Sequence, residues 1–597
     1  MTENRAPPEI APWDGWHIVQ QNCVECAMNP TARLARSGAS GHIRRMRSPK
    51  MMAMAALLAP MLFGAFSGSW DIGAATTAEP AIAAPRIAAP ARPNLIVLLT
   101  IDQFRADYLN RFGAQMHGGI ARLMRQGARF TNAHHDHAIT ETAPGHASLL
   151  SGRFPRSTGI MMNSIGVEDE ESPLVDGGYG PGASPRRFIG TTFVDWLNAS
   201  DRKSQTLSVS MKDRGAILPV GRARADVYWY SIDGRFLTSR YYRKDLPEWV
   251  RAFNARQSVA KYAGKTWSLL LPDSAYRERD SVSLEMAGHR YVFPHTLTSD
   301  VMDAGSEIRI TPFMDDITVD FALAGVNALN LGRGPSTDLL AVSLSATDVI
   351  GHNFGPDSRE MHDQVLRVDL AVGRLLDSLY AMRDSSTITV VLTSDHGVGP
   401  IPELVRDTVK PMAQRVSLRT LAVDLRARLR QSAVDTFAMA VDVNILLANR
   451  SAFRSDAQRD SIVQWFADRA RATPGIARVD HFTTMRRDTL TSEIARRWIH
   501  QFPYPSNVEL VITLDSLSTW GGNIASHGSP RSYDSHVPLI FAGAGIVPST
   551  RPEFVRTVDI GPTLAALLGI KVGERVDGVP LSVGSPPVGT SSAEQRR

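Results

Sequence analysis

The chain runs to 597 residues, 43% of them hydrophobic, enough to bury a large core, and length alone suggests several domains. Its 65 Lys and Arg against 60 Asp and Glu leave a net charge of +5 with no long basic block, which excludes the electrostatic footprint of a nucleic-acid-binding protein. The two cysteines, Cys23 and Cys26, have Cys-x-x-Cys spacing but no second pair to complete a zinc site, and they precede an export-type signal, so a mature chain free of disulfides is expected.

In chain order, residues 1–45 read as an N-terminal extension and residues 46–75 as a signal peptide. The signal has Arg47 and Lys50, then the apolar stretch from Met51 to Phe66, then small residues through Ala75, which is the order that export requires. The apolar run is shorter than the ~20 residues a bilayer span needs. Pro60 interrupts it, so cleavage near Ala75 or Ala83 is expected, giving a periplasmic or secreted product with no membrane span. A start at Met46 would make Arg47 and Lys50 the charged region, and the pair Arg44 and Arg45 offers a twin-arginine alternative. Residues 76–94 form an Ala/Pro linker.

Residues 95–581 read as one catalytic domain. Leu95 to Ile101 is a near-continuous run of leucine and β-branched residues, the mark of a strand buried on both faces, and it ends at Asp102. Thr337 to Ser345 and Thr387 to Thr393 repeat that form shortly before Asp348 and Asp395. Between them, Met361 to Met382 places Val365, Val368, Leu370, Val372, Leu375, Leu376 and Leu379 at helical spacing, so strand, helix and strand make a parallel crossover. Val537 to Ala542 reads as another buried strand, and Val558 to Gly569 as a helix closed by glycine. Two inserts interrupt this scheme. One, about 165–300, is aromatic-rich with little period; the other, about 405–520, reads as a small α/β cap, with a helix around Ser461 to Ala472 and a strand at Val508 to Leu514. Caps at strand ends would cover the site and shape substrate access. Residues 582–597 read as a disordered polar tail. The fold class is α/β, a largely parallel sheet flanked by helices.

Open α/β sheets present their sites at the carboxyl ends of the strands, and Asp102, Asp348, His352, Asp395 and His396 stand at or just past such ends, with His527 in a later loop. Zinc accepts Asp oxygen and His nitrogen. Asp348 and His352 are four apart and can converge on one ion, while the adjacent Asp395 and His396 can wrap one or two. Each pair also has an ordinary reading: Asp395-His396-Gly397 as a turn, Asp348 as a cap. Thr142 stands before Ala-Pro-Gly-His146, where a helix starts, and is either an N-cap or a nucleophile beside a positive helix end. A Thr hydroxyl bound to a metal ion would ionise near neutral pH, and two ions hold attacking and leaving oxygens at once. His134, His135 and His137 match no ligand motif and read as loop histidines.

These motifs resemble the alkaline phosphatase superfamily, and within it the bacterial periplasmic phosphomonoesterases with a Thr nucleophile. The matching segments are Leu98 to Asp102, Thr142 to His146, Asn163 in Gly-Ile-Met-Met-Asn, Lys212-Asp-Arg214, Asp348 with His352, Asp395 with His396, and His527 in Ser-His-Gly. The resemblance implies an alkaline-phosphatase-like core and two zinc ions, one held by Asp348, His352 and His527, the other by Asp102, Asp395, His396 and the Thr142 oxygen. Asn163, Lys212 and Arg214 would bind the non-bridging phosphoryl oxygens. Alone, Lys212 and Arg214 would read as a solvated turn, but a monoester dianion carries more charge than a diester, so extra cations there favour monoesters. His536 rivals His527, and Thr140 rivals Thr142; the Ser-His-Gly and Ala-Pro-Gly-His contexts favour His527 and Thr142.

The implied activity is hydrolysis of small-molecule phosphate monoesters through a phosphothreonine, by a monomer. The alternative on the same scaffold is a phosphodiesterase, nucleotide pyrophosphatase or phosphonate hydrolase. A sulfatase is disfavoured, because Thr142 cannot mature to formylglycine and His146 replaces that branch's Arg. A catalytically dead binding protein would have no use for the complete ligand set.

Overall fold

The computed structural model describes residues 92–584 apart from 407 and 490; the expected extension, the signal, Cys23 and Cys26, most of the linker and nearly all of the tail lie outside the described residues. A nine-stranded sheet organises the chain. Its strands are β1 (Leu95–Ile101), β2 (Ala128–His134), β3 (Thr206–Ser210), β4 (Asp226–Tyr230), β5 (Phe236–Leu237), β6 (Asp338–Leu344), β7 (Ile388–Thr393), β8 (His536–Gly543) and β9 (Ser549–Arg556). They lie in the order β9-β2-β8-β7-β1-β6-β3-β4-β5. β7, β1, β6, β3 and β4 are parallel; β8 runs against both its neighbours, and β5 against β4.

The apolar runs form central strands because both faces are covered. In β1, Leu95, Val97, Leu99 and Ile101 enter one core while Ile96 and Leu98 enter the other, as the two-residue strand period demands. The second core lies under α1 (Thr142–Ser151) and the helix Ile560–Leu567; the first lies under α2 (Phe313–Ala328) and α4 (Arg359–Met382). A shorter helix, α3 (Ala346–Phe354), follows β6 directly.

The stretch about 165–300 is not wholly an insert: it supplies β3, β4 and β5 to the sheet. Its strands escape a reading by apolar runs because β3 is Thr-Leu-Ser-Val-Ser, with buried serines. The Ser208 hydroxyl donates to the Ala216 carbonyl at 2.6 Å, and Ser210 Oγ accepts from the Lys212 backbone N–H at 3.0 Å, so the polarity is satisfied locally. The aromatic triplet Tyr228 to Tyr230 lies in β4, with Tyr228 packed edge-on to Phe321 of α2.

Residues about 405–520 contain a second sheet of four antiparallel strands, ordered Met439–Asp442, Ile445–Ala448, Val508–Leu514, Ile476–His481. Helices Arg419–Gln431 and Asp456–Arg471 pack on one face of it. On the other face, Trp498 of the helix Glu493–Gln501 shares a core with Ala138, Ile139 and Met162 of the main body.

Candidate metal and phosphoryl-transfer site

The parallel strands deliver the predicted residues to the carboxyl ends of the sheet's interior strands. Asp102 follows β1, Asp395 and His396 follow β7, Lys212 follows β3 by two residues, and Asp348 and His352 lie one turn apart on α3. Thr142 is the first residue of α1, and His527 comes from the loop before β8. Two groups of potential ligand atoms form, Asp348 with His352 and His527, and Asp102 with Asp395 and His396, each within 4.8 Å.

Thr142 lies against one of these groups and a cation. Its Oγ1 is 3.4 Å from His396 Nε2 and 3.3 Å from Lys212 Nζ. Lys212 Nζ in turn lies 2.8 Å from Asp102 Oδ2 and 2.6 Å from Asp348 Oδ2. Gly145 permits this approach of α1, since a Cβ there would stand 2.2 Å from the Asp395 carbonyl oxygen. Asn163 is bound to the same helix end: its Oδ1 accepts from Ala143 N at 2.9 Å, and its own N–H donates to Glu141 Oε2 at 2.7 Å. Arg214 is the second residue of the helix Asp213–Ile217, its side chain one-quarter exposed, and its charge is felt at both Lys212 and Glu141.

The donor set fits divalent ions. In each of the three histidines Nδ1 faces a backbone carbonyl: His352 meets Ala525 O at 2.9 Å, His396 Gly397 O at 2.9 Å, and His527 Thr140 O at 2.8 Å. Those carbonyls accept only from an N–H, which places a proton on each Nδ1 and, in the neutral ring, leaves Nε2 free to ligate. His352 Nε2 and His527 Nε2 face each other at 3.2 Å. Burial acts downward on the His352 pKa, but the Asp348 carboxylate outweighs it and raises that pKa, so a cation shared by the three would take the place of the proton held there. Both Asp102 carboxylate oxygens and Asp395 Oδ2 are buried without a hydrogen-bond donor. Lys212 approaches Asp102 Oδ2 closely but off the hydrogen-bonding direction.

The electrostatics agree. Burial, then the charge of Asp395, pushes the Asp102 carboxyl well above its ordinary range. At Asp348 burial acts upward, but Lys212 and His352 outweigh it and hold the carboxylate well below that range. Burial, then His396 and His352, keeps His527 far below the usual imidazole value, hence neutral and able to ligate. At Lys212 burial acts downward, but Asp102 and Asp348 prevail, so the amine stays charged.

The alternatives left open by the sequence separate in space. His536 stacks on His134 at 4.7 Å and points Nε2 at the Thr131 carbonyl, away from both clusters. Thr140 donates to the Ser529 carbonyl at 3.0 Å. Of the loop histidines, His134 closes β2, while His135 reaches the carbonyl of Ser394, beside Asp395, at 2.8 Å. His137 is buried with neither ring nitrogen hydrogen-bonded. Gln103 went unread in the sequence: it donates Nε2 to Asp348 Oδ1 at 2.8 Å and its backbone N–H to Asp395 Oδ1 at 3.1 Å, bridging the clusters from a left-handed φ of 63°. Only its position after Asp102 could have drawn attention to it. His146, read as part of a motif, bonds Ser343 Oγ at 3.0 Å and lies 3.1 Å from Asp395 Oδ2.

The model of the type I phosphodiesterase / nucleotide pyrophosphatase family matches residues 96–494. The chain belongs to that family. Within it, the chain is 30% identical over 516 residues to alkaline phosphatase PafA of Elizabethkingia meningoseptica, covering 82% of this chain and 94% of that one. It is 32% identical over 509 residues to alkaline phosphatase PhoV of Synechococcus elongatus, covering 81% and 91%. The crystal structure of wild-type PafA superposes with a TM-score of 0.74 at 28% identity, over 82% of this chain and 98% of that one. The α/β fold with a large, mostly parallel sheet is thus the alkaline-phosphatase-like fold of this family.

Proposed function

We propose that this family member hydrolyses phosphate monoesters with Thr142 as the nucleophile. The chain is an enzyme, a metal-dependent phosphoric monoester hydrolase of the alkaline phosphatase type, as its relatives over more than nine-tenths of their own lengths support. One observation carries the assignment of Thr142. Its hydroxyl, at the amino end of α1, lies against His396 of one ligand group and Lys212, which touches a carboxylate of each group.

Asp348, His352 and His527 would hold one ion, and Asp102, Asp395 and His396, with the Thr142 oxygen, the other; the mixed Asp/His donors suit zinc. Such ions supply positive charge that lowers the pKa of the attacking hydroxyl and stabilises the leaving oxygen. Thr142 Oγ attacks phosphorus in line: the Oγ–P bond forms, the ester P–O bond breaks, and the alcohol departs from a phosphothreonine. Water then attacks from the opposite side, freeing phosphate and Thr142, so two inversions give net retention. Asn163, Lys212 and Arg214 hold the non-bridging oxygens, and the α1 amino terminus adds its partial positive charge. Among the described residues no helix is long and apolar enough to cross a membrane. The reading extends to an exported monomer acting on small-molecule esters.

The phosphodiesterase reading draws support from the family model itself. It is decided by kcat/KM for an aryl phosphate monoester over the matching diester in zinc-loaded protein. The expected ratio is far above unity and falls by about 10- to 100-fold in Lys212→Ala, with Thr142→Ala nearly inactive. A ratio below unity that ignores Lys212 would establish a diesterase instead.

A further inference from the structure

Outside the ligand groups, a residue that no motif marks ties two site-bearing segments together: Gln501, the last residue of the helix Glu493–Gln501. It is fully buried, and its amide bridges two segments of the main body. Oε1 accepts from the Ile139 backbone N–H at 2.8 Å, and Nε2 donates to the Met161 carbonyl at 2.5 Å. Ile139 leads into Thr142, and Met161 leads into Asn163. Those two ends are themselves tied together through Asn163, Ala143 and Glu141.

The surrounding contacts make the helix a brace. Arg496 grips Asp136 at 3.0 Å, His500 Nδ1 meets the Asp136 carbonyl at 2.6 Å, and Arg497 donates to the Pro530 carbonyl at 2.6 Å, three residues beyond His527. Ala138, Ile139, Met162 and Ile165 share an apolar core with Trp498 and Phe502. The 405–520 segment is therefore packed and hydrogen-bonded to the strand-end loops, an arrangement opposed to a freely swinging lid.

We propose that Gln501 is a positioning residue for phosphoryl transfer, holding Asn163 against the Thr142 helix end so that the two meet the same phosphoryl group in one geometry. The Ile139 arm cannot let go cheaply, because Ile139 is buried and its N–H would lose its acceptor, while the carbonyl of half-buried Met161 would exchange the amide for water. Displacing a phosphate-binding group by an ångström costs rate at the bound group itself rather than global stability.

The inference rests on the roles proposed for Thr142 and Asn163. The test measures kcat/KM for an aryl phosphate, competitive inhibition by inorganic phosphate, and Tm in Q501L and Q501E, each alone and combined with N163A or K212A. Q501E retains the acceptor for Ile139 N and, as a carboxylate, has no donor for Met161 O, so run across alkaline pH, where the buried carboxyl ionises, it isolates the arm that leads to Asn163. The expected result is a loss of about 10-fold in kcat/KM and in phosphate affinity for both variants, undiminished in K212A and reduced to about 2-fold or less in N163A. Equal losses with and without Asn163, or no loss, overturn the proposal. If Q501L fails to fold, Q501E carries the comparison, and if neither folds Gln501 is a stability residue and the proposal falls. Full activity in T142A or N163A alone would instead overturn the site assignment on which it stands.

Discussion

Gly145 determines how close α1 comes to the ligands that follow β7. A methyl group there would meet the Asp395 carbonyl oxygen at 2.2 Å, a backbone atom that cannot swing away, so Gly145→Ala must push Thr142 from His396 or displace Asp395 itself. The expected cost is about 1–3 kcal/mol of stability from overpacking. Activity should fall by about 100-fold or more, as a small misplacement of reacting groups does. Full activity in Gly145→Ala would show that the contact yields without moving the nucleophile. Asp315 acts at the same scale on pH dependence. It is buried, accepting from Ala346 N at the start of α3 at 3.1 Å and from Gln364 Nε2 at 2.9 Å, and burial raises its pKa to about 7. A carboxyl raised on folding contributes fully below its unfolded value and loses that contribution as pH climbs through the folded value. Asp315→Asn does not titrate, so its Tm relative to wild type should rise between about pH 4 and 7 and level off above. The whole span is at most about 4 kcal/mol for a three-unit shift. A gap that stays constant with pH would mean Asp315 is ionised throughout.

At the scale of elements, α4 does more than cover the sheet. Asp369 on its inner face accepts from Gly118 N at 2.5 Å and Ala121 N at 3.0 Å, capping the helix Gly119–Gln126 from outside its own sequence. Cβ atoms at Gly118 or Gly119 would collide with the α4 backbone, which is why glycines stand there. Asp369→Ala leaves two helix-end N–H groups without an acceptor and should cost about 1–3 kcal/mol. The kcat of the folded fraction should be unchanged, and a fall in kcat with Tm preserved would refute a purely structural role. Elements were legible wherever one physical signal dominated. β1, α4 and Val508–Leu514 show in apolar runs or helical spacing because burial on both faces, or on one stripe, leaves that pattern. β3 and β4 did not show, because Ser208 and Ser210 satisfy their hydroxyls locally and the aromatic residues of β4 carry no alternation. In the site, the ligand groups were legible because Asp and His stand where apolar runs stop. Gln103 and Gln501 were not, since an amide acquires its role only from partners hundreds of residues away along the chain, a relation absent from local sequence.

At the scale of the molecule, three buried carboxylates, Asp102, Asp348 and Asp395, converge with three histidines whose Nδ1 atoms face backbone carbonyls at the carboxyl ends of the central strands, with Lys212 as the ammonium against Asp102 and Asp348. β1, β6 and β7 with their following segments deliver these groups, so the charge density is built into the core that gives the chain its stability. Ions bound there add to stability by mass action, about 4 kcal/mol each at free metal a thousandfold above Kd, which for a chain of this size amounts to several degrees of Tm. Stripping the protein with a chelator should therefore abolish hydrolysis and lower Tm together, and returning zinc should restore both. The stoichiometry discriminates further. Six Asp and His side chains in two groups of three, with the Thr142 oxygen joining one group, predict recovery of activity with two zinc ions per chain, and His527→Ala should remove one of them while the group of Asp102, Asp395 and His396 still binds the other. Recovery complete at one ion per chain would mean that the two groups serve a single centre, and the in-line mechanism would then have to place attacking and leaving oxygens on one ion with Lys212 supplying the remaining charge.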